Sequence, residues 1–188
     1  MATVRGKELH CRHDAADGIG AEYIDADELT ARNSKLLDQN FEKCSLLARR
    51  YCPSGFIYFG YCYKFVPEKK TWIDAELHCQ HLSPGGHLAS LHGMEQNKVL
   101  TEMIRNSQNK CSPIWIGLND VHKEGTFLWS DGSASDFMFW LKDEPNNNNG
   151  GEDCVQILFK NSVQWNDASC SLSFCFLCSY KLPPPCCE

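Results

Sequence analysis

The first fifty residues are polar, with acids and bases mixed, and the texture changes at Tyr51. From there, apolar positions recur with strand and helix periods. FIYFGYCYKF (56–65) is aromatic-rich with Gly60 near its centre, the pattern of a hairpin. KTWIDAELHCQ (70–80) begins with Thr71 and, three residues on, Asp74, a helix-start pair. Trp72, Ala75 and Cys79 then share one helical face. SPGGHLASL ends that helix and returns through a short extended piece. A second helix is predicted from Met94 to Arg105, with Leu100, Met103 and Ile104 as its buried stripe. IWIGL (114–118) reads as a buried strand, being apolar with β-branched and aromatic members, and FLW (127–129) continues the sheet. Ser130 to Gly151 is a long segment rich in Gly, Asp, Asn and Ser. CVQILF, VQWND and FCFLCSY supply closing strands. Two helices packed on small antiparallel sheets make an α+β domain over residues 51–181.

Outside that domain the pattern is thinner. Asp25 to Ala48 can form a helix with Leu37, Phe41, Cys44 and Ala48 on one face, about two heptads and too short for a coiled coil. Residues 1–50 are therefore expected to be an appended extension, either a pro-segment or a short oligomerising neck. Arg49-Arg50 is a solvated basic pair or a processing site. Residues 182–188 form a Pro/Cys tail.

Composition removes several classes of function. The chain has 188 residues and a formal net charge of -6, with no basic run, which disfavours nucleic acid. No stretch approaches the roughly 18 consecutive apolar residues of a membrane span. Twelve cysteines are far more than a reducing compartment favours. Cys175-x-x-Cys178 has zinc-like spacing, but a second close pair is missing and Cys186-Cys187 are adjacent. Disulfides and a secreted, extracellular location are expected, although residues 1–25 show no apolar signal-peptide core.

The richest chemistry lies in EPNNNNGGEDCVQILFKNSVQWND, residues 144–167. Glu144, Asn146, Asn147, Glu152, Asp153, Asn166 and Asp167 all offer oxygen, a ligand set suited to a hard, large cation such as calcium. A structureless segment as long as 130–151 is uncommon in a compact domain unless it is functional. Pro145, if cis, turns the side chains flanking it the same way.

Glu144-Pro145-Asn146, Glu152-Asp153-Cys154, Trp165-Asn166-Asp167 and Trp115-Ile116-Gly117-Leu118 together resemble the C-type lectin domain, across roughly residues 52–180. The resemblance implies the disulfides Cys79–Cys178 and Cys154–Cys170, with Cys52–Cys62 in its long form. A bridge between Cys111 and Cys175 is added here as an expectation of its own. The resemblance also implies that Glu144, Asn146, Glu152, Asn166 and Asp167 hold calcium, Asp167 adding its carbonyl, and that two vicinal sugar hydroxyls complete the shell. Asp120, Glu124, Asn147 and Asp153 match auxiliary positions for a second calcium. The Glu-Pro-Asn order goes with mannose, fucose and N-acetylglucosamine in that family. Asn147 to Gly151 holds no aromatic residue, which also counts against galactose. The implied partners are terminal sugars of glycans or glycoproteins, in glycan recognition or innate defence. Cys11, Cys44, Cys186 or Cys187 could link a homo-oligomer.

Other uses of the scaffold stay open: ice binding, as in type II antifreeze proteins, or inhibition by protein binding. An enzyme is not expected. Glu144 and Glu152 could be cast as a glycosidase pair, but no apolar pocket is expected to raise either pKa. His78, His81, His87 and His92 cluster in sequence only and are expected to be surface or packing residues.

Overall fold

The structure, a computed structural model, describes residues 51–106, 111–158 and 163–182. The expectations for residues 1–50 and for Cys186 and Cys187 lie outside them. Those described fall within one compact unit of residues 48–184.

β1 (Phe56–Tyr58) and β2 (Tyr61–Lys70) form the expected hairpin, closed by the pair Tyr58 and Tyr61. β2 is long, and its pairing with β8 (Phe174–Lys181) slips between Val66 and Lys70. Pro67 lies in that gap, where its missing N–H removes a ladder bond. Helix α1 (Trp72–Leu82) starts at Thr71, whose hydroxyl accepts from Asp74 N at 3.3 Å. β3 (His87–Leu88) leads to α2 (Met94–Asn106). β4 (Ile114–Asn119), β5 (Leu128–Trp129), β6 (Cys154–Ile157) and β7 (Trp165–Ala168) follow.

The described strands join into one mixed sheet of order β1-β2-β8-β4-β6-β7, with β3 on β8 and β5 on β4. The expectation of small antiparallel sheets is corrected in this respect: β8 inserts between β2 and β4 and runs parallel to β4. Placing the last strand at the centre makes the two ends of the domain depend on each other.

β4 is buried along its whole length, so its two faces feed two cores. Ile114, Ile116 and Leu118 meet Leu100 and Ile104 of α2 with Val155, Ile157 and Trp165. Trp115 meets Trp72, Ala75 and Cys79 of α1 with Phe176. Gly117 has no alternative. A Cβ there would sit 2.6 Å from Leu88 O and 2.8 Å from Ser130 Oγ.

One buried acid went unread in the sequence. Glu76 accepts from Leu88 N at 2.8 Å, Ser130 Oγ at 3.0 Å and Gln80 Nε2 at 2.8 Å, and contacts His87 Nδ1 at 2.6 Å. It ties α1 to β3 and to the start of the long loop.

The buried face of α2 also differs from its predicted stripe. Asn97, Leu100, Thr101 and Ile104 are buried, whereas Met103 is only half-buried. Polar Asn97 turns inward because it is satisfied there. Its amide donates to Val163 O at 3.1 Å, and its Oδ1 accepts from Trp165 Nε1 at 3.1 Å.

Among the described residues four disulfides are present: Cys52–Cys62, Cys79–Cys178, Cys111–Cys175 and Cys154–Cys170. Cys79–Cys178 ties α1 to central β8 beneath the second core.

Candidate functional site

The oxygen-bearing residues come from three places at one end of the β4–β6–β7 ladder. Asp120 and Glu124 lie on the turn after β4. Glu144, Asn146 and Asn147 lie on the long loop, with Glu152 and Asp153 leading into β6. Asn166 and Asp167 lie within β7, where Val155 pairs with Asp167 and Gln156 with Asn166.

Hydrogen bonds bring these places together. The Glu144–Pro145 bond is cis. Asn146 N and Asn147 N donate to the two Asp167 carboxylate oxygens at 3.1 and 2.8 Å. Asn148 N donates to Glu152 Oε2 at 2.9 Å, and Glu152 N donates to Asn147 Oδ1 at 3.1 Å. The Asn147 amide donates to Glu124 in a short contact, joining the long loop to the β4–β5 turn. Asp120 N donates to Asp153 O at 3.0 Å, and Asp120 Oδ2 accepts from Gly125 N at 2.7 Å. Asn166 Nδ2 donates to Asp167 O at 2.5 Å, so that carbonyl is engaged within the protein.

Electrostatics mark the same residues. Burial pushes Glu144 up to about 7, and the neighbouring Asp167 and Glu152 carboxylates push the same way. This corrects the expectation of an ordinary Glu144. Its carboxyl is taken from water beside like charges. Asp120 is raised by burial and by Asp153 and Asp167. Glu124 is raised too, by desolvation and then by Asp120, Asp153 and Asp167. Two carboxylate oxygens, Glu144 Oε2 and Asp120 Oδ1, are buried without a hydrogen-bond partner. Among the described residues, no three His, Cys, Asp or Glu side chains are arranged to hold an ion by themselves. Any cation held here therefore draws on the Asn carboxamides as well.

The four clustered histidines do not converge. They engage the Phe176 ring, Leu77 O, Glu76 and Asp136 respectively.

The positioning layer behind the site was missed in the sequence. Trp165, fully buried, stands edge-on to Trp129, Phe137 and Trp140 at 5.7, 5.5 and 6.1 Å between ring centroids. Its indole is held by Asn97. Trp165 N donates to Phe139 O, and Leu141 N donates to Trp165 O, both at 2.8 Å. The Phe137–Leu141 stretch of the presumed loop is thus pinned to β7. The signal was the run Phe137-Met138-Phe139-Trp140, too apolar for a free loop.

The family model for the Lectin C-type domain matches residues 68–180. The chain belongs to the C-type lectin domain family. This family is one of non-enzymatic carbohydrate-binding proteins, and the lectin domain here is no enzyme. A protein called "Lectin" from Pleurodeles waltl is 38% identical over 143 residues, covering 76% of this chain and 81% of its own. A "C-type lectin galactose-binding isoform" from Hoplocephalus stephensii is 42% identical over 132 residues, covering 69% and 84%. Among solved structures, the cow CD23 C-type carbohydrate-recognition domain, determined in the presence of a GlcNAc2Man3 oligosaccharide, superposes with a TM-score of 0.61. It is 36% identical, covering 71% of this chain and 98% of that one. No helix among the described residues is long and apolar enough to cross a membrane.

Proposed function

We propose that this lectin domain is a secreted, calcium-dependent receptor for terminal mannose-type sugars of glycans. The observation carrying the reading is the convergence of Glu144, Glu152 and Asp167 with Asn146 and Asn166, in which the buried Glu144 Oε2 lacks any partner. A buried carboxylate oxygen without a donor is costly, and a divalent cation relieves both that cost and the repulsion among the acids. The donors fit calcium, which accepts six to eight oxygens in flexible geometry. Glu144, Asn146, Glu152, Asn166 and Asp167 would hold it. Asp120, Glu124, Asn147 and Asp153 would hold a second ion, for which the partnerless Asp120 Oδ1 is the corresponding support.

Calcium supplies the attraction for vicinal hydroxyls. The chain's own groups supply the direction. Glu144 and Glu152 accept hydroxyl protons, while the Asn146 and Asn166 amides donate to hydroxyl oxygens. The Glu144/Asn146 polarity supports the mannose class over galactose. Four disulfides support an oxidising destination. A bond between copies through Cys11, Cys44, Cys186 or Cys187 would give shallow sites the avidity they need.

Melting the full chain in EDTA and in millimolar calcium tests the metal. At a hundredfold excess over Kd, mass action adds about 2.7 kcal/mol, a shift of several degrees. Coincident curves would sink the proposal. A glycan array run with and without EDTA tests the sugar, and binding that ignores EDTA would point to another use of the fold.

The pH dependence has a definite sign. Metal-free, Glu144 titrates near 7 instead of 4.5, so its folded form is favoured when protonated. The stability this gives the metal-free domain is complete below about 4.5 and lost as pH rises through about 7. Calcium requires the ionised form. The melting increment from calcium is therefore expected to be largest at pH 8 and to shrink as pH falls through 7 toward 5. An increment constant from pH 8 to 5 would show that Glu144 is not a ligand.

A further inference from the structure

We infer that the β1–β2 hairpin forms one wall of a second, calcium-independent site that takes a neutral pyranose ring. The two turn residues, Phe59 and Gly60, both have left-handed backbone, with φ of 46° and 79°. Two-residue hairpin turns of this kind favour Asn or Asp followed by Gly, and a bulky side chain there is disfavoured. Phe59 is nonetheless 87% exposed, touching chiefly the edge of Tyr58 at 4.7 Å between centroids. Folding therefore gains little from this ring, and its backbone position works against it. An outlier of that kind points to function.

Beside the hairpin lies a cleft of about 410 Å³, lined by Tyr58, Phe59 and Tyr61 on one side and by the start of α2 and the turn after β5 on the other. Its volume is within the range of small-ligand sites, roughly 300–1,000 Å³. None of its lining residues belongs to the proposed calcium site.

The polar side of the cleft is already organised. Gln96 Nε2 donates to the Tyr63 hydroxyl at 2.7 Å, while Gln96 Oε1 accepts from His92 N at 2.8 Å. Asp131 accepts from Ser133 N, Ser133 Oγ and Ser90 Oγ at 2.9, 2.5 and 2.5 Å. Three donors therefore disperse the charge of the Asp131 carboxylate, leaving a polar wall of hydroxyls and acceptors on that side of the cleft. Aromatic faces opposite such a wall suit a ring that is apolar on its C–H face and hydroxylated at its rim. An anion is disfavoured, because Asp131 and Glu95 are the acidic groups lining the cleft.

The test uses the full chain, ¹⁵N-labelled, in excess EDTA, so it is independent of the calcium reading. Methyl β-glucopyranoside, methyl α-mannopyranoside and methyl β-galactopyranoside are added separately to about 50 mM. At least one is expected to bind weakly and to shift the amide signals of Phe59, Tyr61, Gly93 and Ser133. Phe59→Asn is expected to weaken that binding at least tenfold while raising Tm by a few degrees, because Asn suits the turn. A ring needed only for structure would lower Tm when removed. The inference is overturned if none of the three sugars shifts these signals, if Phe59→Asn binds as before, or if it melts lower. A larger response to choline chloride at lower concentration would also overturn it, making the cleft a cation site.

Discussion

Changing Glu144→Gln together with Asn146→Asp is expected to abolish mannose binding while leaving calcium in place. The pair keeps its net charge and its side-chain lengths, and the Asp167 and Glu152 carboxylates next to it are untouched. What reverses is the direction of the hydrogen bonds: the acceptor now stands where the donor stood. A hydrogen bond to a charged group contributes about 1.5–3 kcal/mol, so losing even one lowers affinity roughly ten- to a hundredfold. Galactose should gain, though modestly, because Asn147 to Gly151 offers no ring for its apolar patch. Competition with free mannose and galactose at fixed calcium reads the preference. A double variant that binds calcium and still prefers mannose would place sugar selection elsewhere.

The second large effect concerns stability. Replacing Cys79 and Cys178 together with Ala removes a bridge spanning 99 residues. In the chain-entropy model a loop of that length contributes about 4–5 kcal/mol, against a total of about 5–15 kcal/mol for an ordinary domain. Both cysteines are fully buried, so the change also opens space in the second core. The variant is expected to be largely unfolded at 37 °C. The Cys154–Cys170 bridge, spanning 16 residues, should cost only about 3 kcal/mol by the same reasoning. That bridge ties the strand following Glu152 and Asp153 to the chain just beyond Asp167, so its loss should weaken calcium binding more than stability. Guanidinium melts and calcium titrations of both double variants separate the two roles. A greater stability loss from the short bridge would refute the loop-length account.

Much of this was legible in the sequence because it rests on local rules. The Thr71–Asp74 start of α1, the turn at Gly60 and the apolar run of β4 each follow from propensity and period. The oxygen-rich composition of residues 144–167 was legible for the same reason, since ligand chemistry is a property of side-chain type. What escaped was non-local. Asn97 looks like a solvent-facing residue until Trp165, 68 positions away, supplies its donor. Glu76 reads as an ordinary helix acid, and only the arrival of Leu88 and Ser130 makes its burial tolerable. Glu144 offered no sign of its raised pKa, which arises from burial and from residues 8 and 23 positions later. The sheet order escaped too, because nothing in the texture of β8 says that the last strand fills the middle.

β7 is the last strand of the sheet path on its side, and the edge of a sheet is an invitation to unwanted partners. Here the start of that edge is covered. Trp140 bridges to Trp165, and Phe139 and Leu141 take up its backbone N–H and C=O. The loop that carries Glu144 is therefore also a guard against self-association. Asn149 to Gly151 stand apart from that cover, whereas changes in Phe139 to Leu141 would uncover the edge and are expected to promote aggregation.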